Sequence, residues 1–340
     1  MMVKHLAPLV KEITLLYCGL PNEAPPPDLE VLKLLGDPEN VKVIGVEFQD
    51  RSVFPGHYVR ASKRYSNKLL FAINNPLSSY DLVYAQGFTG YAFLGRHENI
   101  VSNLHGLEMF QRAFSMRELI EKSILRNIAR IILLKSSYCI SLGGGLTDIL
   151  LGIGVDRIIV SPNGIDDKWI IDSCTNDEGN LSLVFIGRND NRKGFPILLE
   201  ALKQSKERVS LSVIGPWPEI KITPHELNFY GEIKSKERIF EIIDKADVLV
   251  VPSLSEGMPT VILEAMARGK AIIATDVGAV SDLVSDENGV LIEPGSVEAM
   301  TRAIEKIKTV DLQNTSKVSI NLAKKFVWQR VAKNLLEEFI

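Results

Sequence analysis

The chain has 340 residues, 46% of them hydrophobic, enough for two domains with separate cores. Hydrophobic content ordinary for a globular protein and a net charge of only -3 do not fit a disordered chain, and no run of 18 uncharged apolar residues suggests a membrane span. Cys18, Cys139 and Cys174 lie far apart in no metal or redox spacing, the five histidines do not cluster, and a reduced, cytoplasmic protein with no bound metal is expected.

In chain order, the opening "MMVKHLAPLVKEITLLYCGL" is apolar in patches, but Lys11 and Glu12 interrupt it and it does not read as a leader. Strand-like runs then recur: "EITLLYCG", "VKVIGVEF", "DLVYA", "NIVSNLH", "SYCISL", "DRIIVSP", "LSLVFIG", "VSLSVIG", "DVLVVPS" and "KAIIATD". Helix-spaced segments separate them, the pattern of parallel sheets covered on both faces. Ten strands are many for one open sheet, so two sheets are expected. Pro162-Asn163-Gly164 marks a turn and 172–180 a polar linker, which divides the chain into 1–165 and 166–322. The last stretch, "AKKFVWQRVAKNLLEEFI" (323–340), reads as one amphipathic helix that packs on its own domain or returns to the first.

The charge is uneven. From Arg51 to Lys135 there are twelve Lys or Arg against five Asp or Glu, so the rest of the chain carries about -10. "FPGHYVRASKRYSNKLL" spaces Arg60, Arg64 and Lys68 on one helical face, with Lys63, Tyr58 and Tyr65 nearby, a surface suited to an anionic membrane. "ELIEKSILRNIARIILLKS" puts Lys122, Arg126 and Arg130 on one face; a core helix with solvated basic residues is the plainer reading there. No zinc-finger, helix-turn-helix or RNP pattern accompanies the charge, and no nucleic-acid partner is expected.

The triplet Gly143–Gly145 follows a strand and opens a helix. It reads as a tight turn or an anion cradle, not a GxGxxG fingerprint. The strand "LVFIG" ends at Gly187-Arg188, and after a polar loop come Lys193, Gly194 and a helix. An Arg fork and a Lys point charge at a strand's carboxyl end suit a diphosphate, although solvated basic residues in such loops are common. "DVLVVPS" likewise leads into "LSEGM" and a helix with Pro259 in its first turn and Gly269 at its end. Gly257 to Val261 is then a helix N-terminus, a ready phosphate site, with Glu256 before it and Glu264 about one turn inside. Two carboxylates flanking such a terminus suit a ligand with hydroxyls at both ends and phosphates between, which describes a nucleotide sugar. The plainer reading makes Glu256 a dipole partner and Glu264 a surface residue.

Four stretches resemble the retaining glycosyltransferases of the group 1 family (family 4): "FIGRNDNRKGFPILLEAL", "DVLVVPSLSEGMPTVILEAMARGKAIIATDVGAVSDLV" with "NGVLIEPGS" after it, "IVSPNGIDDKW" and "NLHGLE". The resemblance implies the GT-B fold, two Rossmann-like doubly wound α/β domains facing across a cleft. The first domain would bind a saccharide or lipid-linked acceptor. The second would bind a nucleoside-diphosphate sugar as co-substrate, with no cofactor and no metal. By the same resemblance, Arg188 and Lys193 neutralise the diphosphate and Glu256 holds sugar hydroxyls. Gly257, Met258, Pro259, Thr260 and Val261 offer backbone groups, with Gly187 at the neighbouring corner, and Glu264 grips the ribose. Gly215, in "SVIGPWPE", and Tyr230, Gly231 and Ile233, in "FYGEI", lie near the base. His105 approaches the donor sugar, and the final helix with Trp328 crosses back to the first domain. The family's Gly-Gly loop after its first strand is replaced in this chain by "CGLPNEAPPPDLE". A nucleotide-sugar epimerase or hydrolase on the same fold, or a non-catalytic nucleotide-sugar binder, remains open at this point.

Overall fold

A parallel strand covered on both faces is apolar at successive positions, whereas an edge strand need not be. The computed structural model follows that rule; it describes residues 1–50, 56–113, 115–173, 181–206 and 208–339. Most of the expected linker, with Cys174, lies outside the described residues. The chain divides into two units, Met1–Leu142 with Leu146–Pro162 and Trp328–Ile340, and Gly143–Gly145 with Asn163–Val327.

Unit 1 begins with helix α1 (Met2–Leu6) and continues through β1 (Ile13–Tyr17), α2 (Asp28–Leu35), β2 (Val41–Gly45) and α3 (His57–Ala72). Then come β3 (Val83–Gln86), β4 (Ile100–Asn103), α4 (Met116–Lys135), β5 (Tyr138–Ser141), α5 (Gly145–Ile153) and β6 (Ile158–Val160). Its strands form two parallel ladders, β1-β2 and β3-β4-β5-β6, where one sheet was expected. Phe48, Tyr65, Leu69, Phe93 and Ile100 form one core cluster. The loop after β1 is tied to the chain after β2. The Asn22 side chain donates to the Asp50 carbonyl (2.9 Å) and accepts from the Asp50 N–H (3.0 Å).

Unit 2 contains β7 (Ser182–Ile186), α6 (Phe195–Gln204), β8 (Ser210–Ile214), β9 (Glu226–Phe229), α7 (Lys236–Asp244), β10 (Val248–Val251) and α8 (Thr260–Ala267). It goes on through β11 (Ala271–Thr275), β12 (Gly289–Ile292), α9 (Val297–Ile307) and α10 (Leu312–Ala323). The six strands are all parallel, in the order β12-β11-β10-β7-β8-β9. Leu183, Phe185, Leu198, Leu211, Val213, Val248, Val250, Ile273 and Ile304 fill the core. The chain moves outward one way from β7 through β8 to β9, then returns to the other side of β7 as β10. The sheet therefore reverses its order between β7 and β10, and a crevice at such a reversal is where open α/β sheets hold ligands.

The ten strand-like runs are all strands; β9 and β12 were not read as such. Both are sheet edges, so neither needs an unbroken apolar run, and β9 opens on the exposed Glu226. The closing stretch is two helices, not one. Residues 324–326 form a 3-10 turn after α10, and α11 (Trp328–Glu337) follows. The break falls at Val327, which pairs in a parallel bridge with Ile165, whose N–H donates to the Phe326 carbonyl (2.9 Å). Asn163 to Ile165 accordingly belong to unit 2, three residues earlier than the boundary expected. Within unit 1, α11 places Leu335 in a cluster with Val101, Ile140 and Ile159, and Phe339 meets Tyr138 edge-on at 5.5 Å between centroids.

Candidate active site

The loop after β7 and the loop after β10 are laced together at the sheet reversal. The Leu254 N–H donates to the Arg192 carbonyl (2.7 Å). Gly194 has φ of 67°, and a Cβ there would sit 1.8 Å from the Pro252 carbonyl oxygen, so only glycine permits this approach. The consequence is a fixed meeting of side chains. Lys193 Nζ donates to Glu256 Oε1 at 2.6 Å, and Ser253 Oγ donates to the same oxygen at 2.7 Å. Lys193 retains 25% of its side-chain exposure and Glu256 12%, so the pair is sheltered yet reachable.

Glu256 is held from behind as well. Gly278, with φ of 61°, lies so close that a Cβ would come within 2.4 Å of the Glu256 and Gly257 carbonyl oxygens, and the Ala279 N–H donates to the latter at 2.8 Å. On the other side, the Asn163 amide donates to the Met258 carbonyl (2.9 Å) and its backbone N–H to Met258 Sδ (3.2 Å). Helix α8 starts two residues later, with Pro259 as its cap and Thr260 exposed. The first N–H groups of a helix have no partner within it, and they carry the positive end of its dipole.

Glu264 is the fifth residue of α8 and half-buried. Burial pushes its carboxyl up to about 7, with the Lys236 ammonium pulling weakly the other way. Lys236 also lies 3.7 Å from Asp166 Oδ2. Arg188 is exposed; its carbonyl accepts from the Asp190 N–H (2.8 Å). Asp190 accepts from Arg192 Nη2 at 2.7 Å, which holds its carboxyl below the usual range, with Arg188 a minor contributor. Just past β8, the Gly215 N–H donates to the Gly231 carbonyl (2.8 Å), and Trp217 Nε1 donates to the Gly187 carbonyl (2.8 Å). Tyr230 is exposed, with the Arg238 guanidinium 5.9 Å from its ring centroid, and Ile233 is half-buried.

Lys193, Glu256, Gly257 and the α8 terminus thus stand together, and Gly187, Gly215 and Gly231 gather at the neighbouring strand ends. Arg188 shares the loop of Lys193, with its side chain open to solvent. Met258 and Pro259 are buried, and the Met258 carbonyl is taken by Asn163. Ser253 and Trp217 were not singled out from sequence, and Asn163 was read only as part of a turn. Ser253 stands three positions before Glu256 in the same loop and was the one within reach of local spacing.

The glycine triplet holds an anion of the protein's own: the Gly144 N–H donates to Asp282 Oδ2 at 2.7 Å, and the Gly145 N–H to the Gly278 carbonyl at 2.9 Å. In unit 1, His105 follows β4 on an exposed turn at φ of 57°. Burial against neighbouring protein lowers the pKa of its imidazole, while the residue as a whole stays exposed. Arg60, Lys63, Arg64 and Lys68 are exposed on α3, with Lys63 Nζ 4.6 Å from the Tyr91 ring centroid. Tyr65 does not join them; it is buried in the core against Phe48. Nor are Lys122 and Arg126 solvated: Lys122 Nζ bonds Glu118 and the Arg112 carbonyl, and Arg126 Nε bonds the Met109 carbonyl. Among the described residues, no three His, Cys, Asp or Glu side chains are grouped as a metal site, and no helix is long and apolar enough to cross a membrane.

Comparison with known proteins fits this geometry. Residues 180–309 match the family model described as "Glycosyl transferases group 1". It is 32% identical over 123 residues to TuaC of Bacillus subtilis (strain 168), named for teichuronic acid biosynthesis; the match covers 36% of this chain and 32% of TuaC. Across the curated relatives it matches first, the chain spans about a third to a half of their length. Among solved structures, sucrose-phosphate synthase from Thermosynechococcus elongatus superposes with a TM-score of 0.74 at 18% identity, over 99% of this chain and 90% of that one. Anabaena Alr3699/HepE in complex with UDP-glucose gives 0.67 at 17% identity, over 96% and 98%. The fold is GT-B, with two Rossmann-like α/β units.

Proposed function

We propose that the chain is a retaining, metal-independent glycosyltransferase. It moves a sugar from a nucleoside-diphosphate sugar to a saccharide or lipid-linked acceptor, in glycan, polysaccharide or glycolipid biosynthesis. The observation that carries this reading is the Lys193–Glu256–Ser253 cluster at the sheet reversal, beside the first turn of α8. The HepE complex with UDP-glucose is of the same ligand class and supports it. On this reading Lys193, Arg188 and the helix terminus favour the diphosphate as its charge grows, more in the transition state than before it. Glu256 holds the sugar hydroxyls and Glu264 the ribose. The acceptor attacks from the face the diphosphate leaves, and a donor phosphate oxygen takes its proton. His105 is the unit 1 residue assigned to the reacting centre. Gly215, Tyr230, Gly231 and Ile233 serve the base, and Gly187 forms the corner that carries Arg188.

Cytoplasmic placement at an anionic membrane surface belongs to the same proposal. The exposed cations of α3 support it, as do exposed Met116, Ile120, Ile124, Ile131 and Leu134 on α4.

The test is a thermal-shift screen of nucleotides and nucleotide sugars, followed by incubation of the best labelled donor with and without saccharide acceptors. A nucleoside diphosphate should raise the melting temperature, because it binds the native state alone. Labelled product should form only with acceptor present. Silence of every nucleotide at millimolar concentration removes the reading, and sugar release or isomerisation without acceptor replaces it with a hydrolase or epimerase.

A further inference from the structure

The turn that carries His105 adopts a backbone that few side chains tolerate. His105 has φ of 57° and Leu107 φ of 47°, both left-handed and neither glycine. Such a conformation persists only where its surroundings hold it. Three sets of bonds do so, all within unit 1. First, Asn103 Oδ1 accepts the His105 N–H at 2.8 Å, and the Asn103 amide is itself oriented by donating to the Tyr84 hydroxyl at 3.0 Å. Second, Gln111 Nε2 reaches back to the Gly106 carbonyl at 2.6 Å. Third, α4 closes over the following segment. Lys122 Nζ donates to the Arg112 carbonyl at 2.7 Å and the Gln111 carbonyl at 3.5 Å, Arg126 Nε to the Met109 carbonyl at 2.6 Å, and the Arg130 guanidinium lies 5.9 Å from the Phe110 ring centroid.

Cations at i, i+4 and i+8 of one helix thus meet one short stretch, 109–112. Lys122 is 7% exposed, paired with Glu118 at 2.7 Å. A buried ammonium is costly unless it is paired and hydrogen-bonded, and a helix that needed only a polar face would leave this lysine in water. The bonds form a continuous route from α4 to the imidazole: Lys122 to the Gln111 backbone, the Gln111 side chain to Gly106, and Gly106 to its neighbour His105.

We infer that Lys122 and Arg126 are positioning residues for His105, holding the left-handed turn that presents its imidazole. The inference rests on the assignment of His105 to the reaction, and the experiment separates the two. Lys122→Met, Lys122→Arg, His105→Ala and the Lys122→Met/His105→Ala double variant are compared by kinetics. The imidazole resonances of histidine-labelled full-length protein are recorded alongside. Lys122→Met should shift or broaden the His105 resonance while those of the other histidines hold. It should lower kcat ~10-fold or more, as misplacement of a reacting group does, with the donor KM little changed. Lys122→Arg should restore most of the rate. With His105 already Ala, adding Lys122→Met should cost almost nothing further. An unmoved His105 resonance overturns the inference, as does an equal loss of kcat with and without His105. Should Lys122→Met fail to fold, Arg126→Gln carries the same comparison. If His105→Ala turns over at the full rate, the assignment of His105 falls, and the resonance alone then decides whether α4 holds the turn.

Discussion

Lys193 of unit 2 and Lys122 of unit 1 look alike by inventory. Each is sheltered, and each meets a carboxylate, at 2.6 and 2.7 Å. They differ in what else they touch. Lys122 spends its donors on backbone carbonyls of one loop, which cannot turn away without the loop unfolding. Lys193 faces a side chain, Glu256, that a ligand can share or displace. A cation on backbone carbonyls is committed to a shape, whereas a cation on a side chain can change partners when an anion arrives. Glu256 has its own support in Ser253, so the cluster keeps its form while Lys193 reorients.

The largest effect expected from that difference is on turnover. Lys193→Ala should lower kcat by ~10²-fold or more, the order seen when one electrostatic donor to a developing charge is lost, and Arg188→Ala should fall in the same range. Circular dichroism at the assay temperature should show both variants folded. Wild-type kcat in both would remove the diphosphate role and leave Lys193 as structural as Lys122.

A second prediction concerns Glu264, whose carboxyl is raised to about 7 by burial. In the unfolded chain it ionises near ~4.3. Between these values the folded state holds the extra proton, so stability falls as pH rises through the window, and the penalty is complete above pH 7. Its size is on the order of 3 kcal/mol. Glu264→Gln has no such penalty. The variant should match wild type near pH 4 and melt several degrees higher at pH 8. If Glu264 accepts the ribose hydroxyls as proposed, nucleotide affinity should weaken below pH 7 in wild type, as its carboxylate is protonated, and stay flat in the variant. Parallel melting curves from pH 4 to 8 would show that Glu264 is solvated and unlike its sheltered neighbours.

The same contrast explains what was legible in the sequence. Period and punctuation carried ten of the twelve described strands, the α8 terminus and the Lys193 and Glu256 loops, since each is a local pattern. Spacing also grouped Lys122, Arg126 and Arg130 correctly on one face. It did not say what that face meets, because a 3.6-residue period fixes which side chains share a direction and nothing about the loop opposite. Asn163 bonding Met258, 95 positions away, leaves no periodic trace. Edge strands β9 and β12 escaped because one side of each needs no partner strand. Tyr65 was grouped with the basic residues of α3 by proximity in sequence, yet it is one step around the helix from Arg64 and faces the core.

The smallest effect tests the α3 surface. Its cations differ from both lysines above: Arg60 and Arg64 are exposed, and among the described residues Lys68 reaches only the Glu47 carbonyl, at 3.4 Å. A charge with so little commitment to its own fold is available to a distant anionic surface. Each Lys or Arg near such a surface contributes about 1 kcal/mol, roughly 5-fold in partitioning at low salt. In liposome flotation, Arg60→Gln should therefore reduce binding to vesicles containing anionic lipid by about 5-fold, and Arg60→Gln/Arg64→Gln by about the square of that. Binding should weaken as salt shortens the reach of the field. Vesicles of zwitterionic lipid alone separate the contributions: binding there, unmoved by the Arg variants, would assign the attraction to the exposed apolar side chains of α4. No flotation of the wild-type chain with anionic vesicles at low salt would leave α3 a solvated face, and the membrane part of the proposal would go with it.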